Sequence, residues 1–98
     1  MGTDSAAYVI GHISVLDEVK WAEYRSQVPA TLAPWGAELL LRARKAKILG
    51  GTHRHSDVVV IRFPDLAAAD GWFNSAAYQS LIPLRKVAAE VDLISFAG

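Results

Sequence analysis

Short apolar runs, rich in β-branched and aromatic residues, mark strands in this chain, and apolar residues at helical spacing fill segments between them. "AYVIGHIS" at 7–14 is rich in β-branched and aromatic residues and reads as a strand. Asp17 then offers an N-cap for a helix in which Trp21, Tyr24, Val28, Leu32 and Trp35 form an apolar stripe, with Arg25 flanking it. Pro29 is expected to kink this helix or split off its last turn, and Pro34-Trp35-Gly36 to end it. "AELLLRARKAKILG" at 37–50 predicts a long strand whose charged far half overhangs the sheet. Gly50 and Gly51 open a turn through "GGTHRHSD", and "DVVVIRF" at 57–63 is the clearest strand of all. "LAAADGWFNS", after Pro64 and Asp65, predicts a short helix. Residues 76–90 predict a second helical piece, started by Asn74/Ser75 and kinked at Pro83, and "VDLISFAG" closes with a strand.

The order β-α-β-β-α-β fits an α+β, ferredoxin-like fold: a four-stranded antiparallel sheet of order 4-1-3-2 with two main helices on one face. One domain at 6–98 is expected, after a disordered tail or tag remnant at 1–5. Val59, Ile61 and Phe63 share one face of the third strand, and Val58, Val60 and Arg62 the other. The first strand divides Val9, Gly11 and Ile13 from Tyr8, Ile10 and His12; the fourth divides Leu93 and Ser95 from Ile94 and Phe96. Both faces are largely apolar, yet helices can cover only one. Each large side chain left in water forgoes about 1.5–3 kcal/mol of burial. A homodimer, sheet against sheet, is the expected remedy. Gly11 marks either a close approach to a ligand or partner backbone, or a bulge.

Composition narrows the function classes. The chain has 98 residues, 52% hydrophobic and 20% charged, which excludes disorder and leaves a surface short of charge. Ten basic residues balance ten acidic ones, so nothing draws in a phosphate backbone and no nucleic-acid partner is expected. The absence of cysteine removes thiolate nucleophiles and Cys-based metal sites. No run has the length of a membrane span and "MGTDSAA" has no signal-peptide character, so no membrane partner and a cytoplasmic location are expected.

"YVIGHISVLDEVKWAEYRSQVPATLAPWGAELLLR" and "VVVIRFPDLAAADGWFNSAAYQSLIPLRKVAAEVDLISFAG" resemble the two halves of the bacterial domain-of-unknown-function family thirteen-thirty. The most specific matches are "RFP", Trp72, Ser75, Tyr78-Gln79 and Arg85. The family's usual "SPEY" is "SAAY" here, losing a first-turn proline and an acidic residue. The resemblance implies the dimeric α/β-barrel superfamily, whose members include cofactor-free monooxygenases, cyclases, isomerases and haem-degrading enzymes. It implies no activity for this family, since a fold does not carry function across so varied a group.

Topology gathers the candidate residues at one end of the sheet. His12 has an imidazole suited to proton transfer near neutrality, and Asp92 on the neighbouring strand is the candidate to fix its tautomer. Trp21, Tyr24, Arg25, Tyr78 and Arg85 are the candidate substrate-binding residues. Arg85 cannot shed its proton, so it needs either a carboxylate such as Glu90 or Asp92, a helix C-terminus, or an anionic ligand. His53 and His55 would complete a three-histidine set with His12, but their Gly-rich polar turn favours solvated loop histidines, and no metal is expected. Two functions follow. One is a cofactor-independent enzyme acting by acid/base chemistry on a small aromatic or carbonyl-bearing compound held between sheet and helices. The other is a non-catalytic homodimer that binds a small ligand or a partner protein.

Overall fold

Pairing of apolar strands dictates the architecture. In the computed structural model, which describes residues 6–98, β1 (Ala7–Val15) lies at the centre of the sheet. It pairs antiparallel with β3 (Asp57–Phe63) on one side and β4 (Ala89–Ala97) on the other, and β2 (Glu38–Arg44) pairs antiparallel with β3 at the edge. The order β2-β3-β1-β4 is the expected ferredoxin-like sheet. The predicted tail at 1–5 lies outside the described residues.

The face division follows the sequence pattern. Ala7, Val9, Gly11 and Ile13 are buried beneath the helices, while Tyr8, Ile10, His12 and Ser14 alternate with them on the open face. Gly11 pairs with Val59 and Leu93 without a bulge. A Cβ there would stand 2.9 Å from Val59 Cγ1, so the glycine makes room for side chains of neighbouring strands.

Asp17 caps α1 (Glu18–Leu32) by accepting the Lys20 N–H at 3.0 Å. The helix runs through Pro29, and the turn Ala33–Trp35 follows as a tight 3₁₀ segment ended by Gly36 at φ 65°. Asp65 caps α2 (Leu66–Asn74), and the Ser75 hydroxyl accepts the Tyr78 N–H to cap α3 (Ala76–Gln79). Pro83 sits in the first turn of α4 (Ile82–Ala88), where a missing N–H is harmless. The expected single kinked helix at 76–90 is therefore two short helices, and its last residues already belong to β4.

The strand expected at 37–50 ends at Arg44, where the Arg44–Asp57 pair is followed by one further backbone bond, the Lys45 N–H donating to Ser56 O at 2.6 Å. Ile48 and Leu49 are left exposed outside the sheet. One bulge, between Leu39 and Leu41, interrupts the β2–β3 register. Leu39 opposes Ile61 on the helix side, Leu41 opposes Val60 on the open side, and Arg42 opposes Val59, back on the helix side.

Trp72, Tyr78 and Phe63 are the largest fully buried side chains, with ring centroids 5.5 Å apart for Phe63–Trp72 and 4.2 Å for Trp72–Tyr78. The Trp72 indole N–H donates to Thr31 Oγ1 at 3.0 Å, and that hydroxyl donates to Val28 O. Thr31→Val keeps the shape but orphans a buried donor. It is expected to destabilise the fold by about 1–3 kcal/mol, read as a lower urea midpoint at unchanged slope.

Candidate functional site

The sheet separates the candidate residues into two groups. On the helix side a cavity of about 440 Å³ opens between α1 and the β1–β3–β2 surface. Trp21, Tyr24 and Arg25 reach it from α1, Leu39 and Arg42 from the bulged edge strand, and Trp72 closes its inner end. Helical spacing explains the first three: Trp21 and Tyr24 lie on the buried stripe, their rings stacked at 5.1 Å, and Arg25 lies just off it. The size is that of an ordinary small-molecule pocket.

Tyr24 carries the polar chemistry of this cavity. Its hydroxyl meets the Tyr78 hydroxyl at 2.8 Å, and Arg85 Nη1 donates to Tyr78 Oη at 2.8 Å. Arginine only donates, so the Tyr78 oxygen accepts from it and the Tyr78 proton is free to pass on to Tyr24. The Tyr24 hydroxyl can then donate into the cavity. Burial, and next the neighbouring Tyr78, push the Tyr24 phenol above its ordinary range, with Arg85 pulling the other way. It therefore keeps its proton at physiological pH. Arg85 has neither of its expected carboxylate partners: Glu90 pairs with Arg54 at 2.7 Å, and Asp92 with His55 at 2.8 Å and Arg54 at 3.9 Å.

The second group lies on the open face. His12 and Asp92 oppose each other in the β1–β4 register, but Asp92 Oδ2 bonds His55 Nε2 at 2.8 Å and leaves His12 alone. His12 Nδ1 is buried with no hydrogen-bond partner. His55, expected in a solvated turn, is only 2% exposed. Its second nitrogen, Nδ1, meets Ser14 Oγ at 2.8 Å. An ionised Asp92 can only accept, so a neutral His55 carries its proton on Nε2 and accepts the Ser14 proton at Nδ1. His53 stands with its ring centroid 4.9 Å from that of His12 and 5.7 Å from that of His55. With both His55 nitrogens engaged, no group of three or more His, Cys, Asp or Glu among the described residues is arranged to hold a metal ion.

The pocket uniting His12 with Arg85 is thus not formed. Opposite parity along β1 sends Gly11 and Ile13 toward the helices and His12 away from them, so no ligand between sheet and helices meets both groups. Sequence reasoning also missed Arg42 and Ser14. Ser14 had a signal, being two residues past His12 on the same strand face. Arg42 had none, because only the bulge turns it toward the helices.

The family model for the Domain of unknown function (DUF1330) matches residues 6–98. The chain belongs to that family. No curated protein matches it. Among solved structures it is similar to RPA0582, a protein of unknown function from Rhodopseudomonas palustris, at 13% identity and a TM-score of 0.78, covering 97% of this chain and 83% of that one. A dimeric ferredoxin-like protein of unknown function from Jannaschia sp. CCS1 gives 10% identity and 0.74, covering 93% and 97%. SnoaB, a cofactor-independent oxygenase from Streptomyces nogalater, gives 8% identity and 0.70, covering 96% and 93%. These likenesses establish the shared fold. No helix among the described residues is long and apolar enough to cross a membrane.

The open-face cluster predicts an acid-sensitive fold. Desolvation, then the fields of His12, His55 and Lys45, hold the His53 pKa below its ordinary value, and the bond to His55 first of all lowers that of Asp92. Both groups favour the folded state when deprotonated. Their stabilisation is complete above the unfolded values of about 6.5 and about 3.9 and is lost as pH falls below each. The melting temperature should decline from about pH 6.5 and again below about pH 4. His53→Asn should flatten the first decline; an identical profile in that variant would show that His53 plays no part.

Proposed function

We propose that this protein is a cofactor-independent enzyme that works on a small aromatic or carbonyl-bearing compound in the helix-side cavity. The observation that carries this is the Arg85–Tyr78–Tyr24 chain, which ends on a tyrosine of the lining of a cavity whose interior is apolar and whose rim is charged. Trp21, on the lining, offers aromatic surface to a flat substrate. Tyr24 donates to the substrate's carbonyl oxygen, and as negative charge builds there the Arg85 field, relayed through Tyr78, stabilises it. The opening step is transfer of a proton from the carbon beside that carbonyl to Asp57, the one carboxylate on the lining, with the electron pair moving to the oxygen that Tyr24 holds. The same fold in SnoaB, a cofactor-independent oxygenase, supports this reading. His12 and Asp92 stay outside this cavity and are assigned to the open face.

The test is hydrogen–deuterium exchange at acidic C–H positions of a panel of aromatic ketones in D₂O, followed by NMR. Wild type should accelerate exchange of at least one compound, and Tyr24→Phe should lower that rate by about 10²-fold while binding persists. Binding without exchange across the panel would favour the non-catalytic alternative. One observation speaks for that alternative: the cavity lining contains no histidine, and Asp57 is its single carboxylate.

The open face belongs to a second copy. Tyr8, Ile10, Val60, Ile94 and Phe96 share it, with Ile94 and Phe96 exposed, and the similar Jannaschia protein is dimeric. Val60→Asp should convert a dimer mass in light scattering to a monomer mass; an unchanged dimer would place the interface elsewhere.

A further inference from the structure

The helix-side cavity has a charged rim that the proposed chemistry does not use. Arg25 reaches the rim from α1, and Arg42 and Arg44 reach it from β2. None of the three has a carboxylate partner among the described residues: the ion pairs there belong to Arg54 and His55. Asp57, the one carboxylate on the lining, opposes Arg44 in the sheet and accepts from Ser56 Oγ at 2.7 Å. The rim therefore holds a surplus of guanidinium charge beside an apolar interior.

This surplus is built by backbone geometry. Without the bulge at Leu40, strict alternation from Leu39 would send Arg42 and Arg44 to the open face and leave Leu41 over the cavity. The edge strand gives up an apolar contact at this spot and presents cations instead. Arg42 is held near Arg25, whose like charge adds to the effect of burial in disfavouring its protonated form. Two guanidinium groups with no protein carboxylate between them form a ready fork for a planar anion.

Resting on the cavity as the ligand site, we propose that its ligand is an aromatic carboxylate, with the ring against Trp21 and Leu93 and the carboxylate between Arg25 and Arg42. The ring enters the apolar interior near Tyr24, and the acid group stays at the rim.

Calorimetric titration with 2-naphthoate and its neutral isostere 2-naphthamide tests this. Wild type should bind the acid about tenfold more tightly than the amide, with the difference shrinking as sodium chloride is raised. The double variant Arg25→Gln/Arg42→Gln, altered only at exposed positions, should bind both probes alike. Leu39→Trp, on the exposed edge strand, should fill the mouth and weaken both. Equal affinities in wild type, or a preference that survives the double substitution, would overturn the clamp while leaving the cavity standing if Leu39→Trp still blocks both probes. Binding of neither probe, or binding indifferent to Leu39→Trp, would overturn the cavity as the ligand site and the clamp with it.

Discussion

A phenol sealed beneath helices and sheet must have hydrogen-bond partners, and the way Tyr78 obtains them organises the rest of the molecule. Its side chain is fully buried, so an unmet hydroxyl would cost about 1–3 kcal/mol. One partner comes from α1 as Tyr24 and the other from α4 as Arg85, so a single buried oxygen ties three helices together. The local breaks serve this arrangement. Ser75 restarts the chain so that Tyr78 points inward, and Pro83 begins a new helix that carries Arg85 back over it. Because arginine only donates, Tyr78 accepts from Arg85, and its own proton can go to Tyr24. The contact that closes the core thereby equips the cavity wall with a donor.

The sheet then divides the molecule chemically. Toward the helices lie aromatic surface, hydroxyls and guanidinium groups; toward the open face lie imidazoles, carboxylates and a field of apolar side chains. One bulged residue on β2 sharpens the division by turning arginines toward the helices. The open-face polar cluster is held by long-range contacts: the 45–56 segment folds back so that His55 is wedged between Ser14 and Asp92, with Arg54 spanning to Glu90. The two sides are insulated from each other by the strands themselves, which is why a proton donor on one side cannot serve a ligand on the other.

Much of the fold was legible in the chain. The β-branched runs "DVVVIRF" and "AYVIGHIS" predicted both strands, the period of two predicted how their side chains divide, and Trp21, Tyr24, Val28 and Leu32 marked the buried helix stripe. Asp17 and Ser75 were readable as caps because capping depends on a side chain and a backbone N–H three residues on. The site was legible only in parts. Tyr24, Tyr78 and Arg85 do meet in the structure, but His12 and Asp92 were grouped with them from being near one end of the sheet, where face matters as much as height.

The sequence by itself determined the element order, the two-faced strands and the helix stripe, since periodicities of two and 3.6 are local properties of the backbone. Only the tertiary structure decided which polar groups meet. Arg85 rests on a tyrosine instead of a carboxylate, Asp92 serves His55 instead of His12, and Arg42 faces the helices, because each outcome depends on partners far away in the chain or on a bulge in the register with β3. Hydrogen bonds and charges are satisfied by whatever packing brings within about 3 Å, and no local pattern encodes that distance.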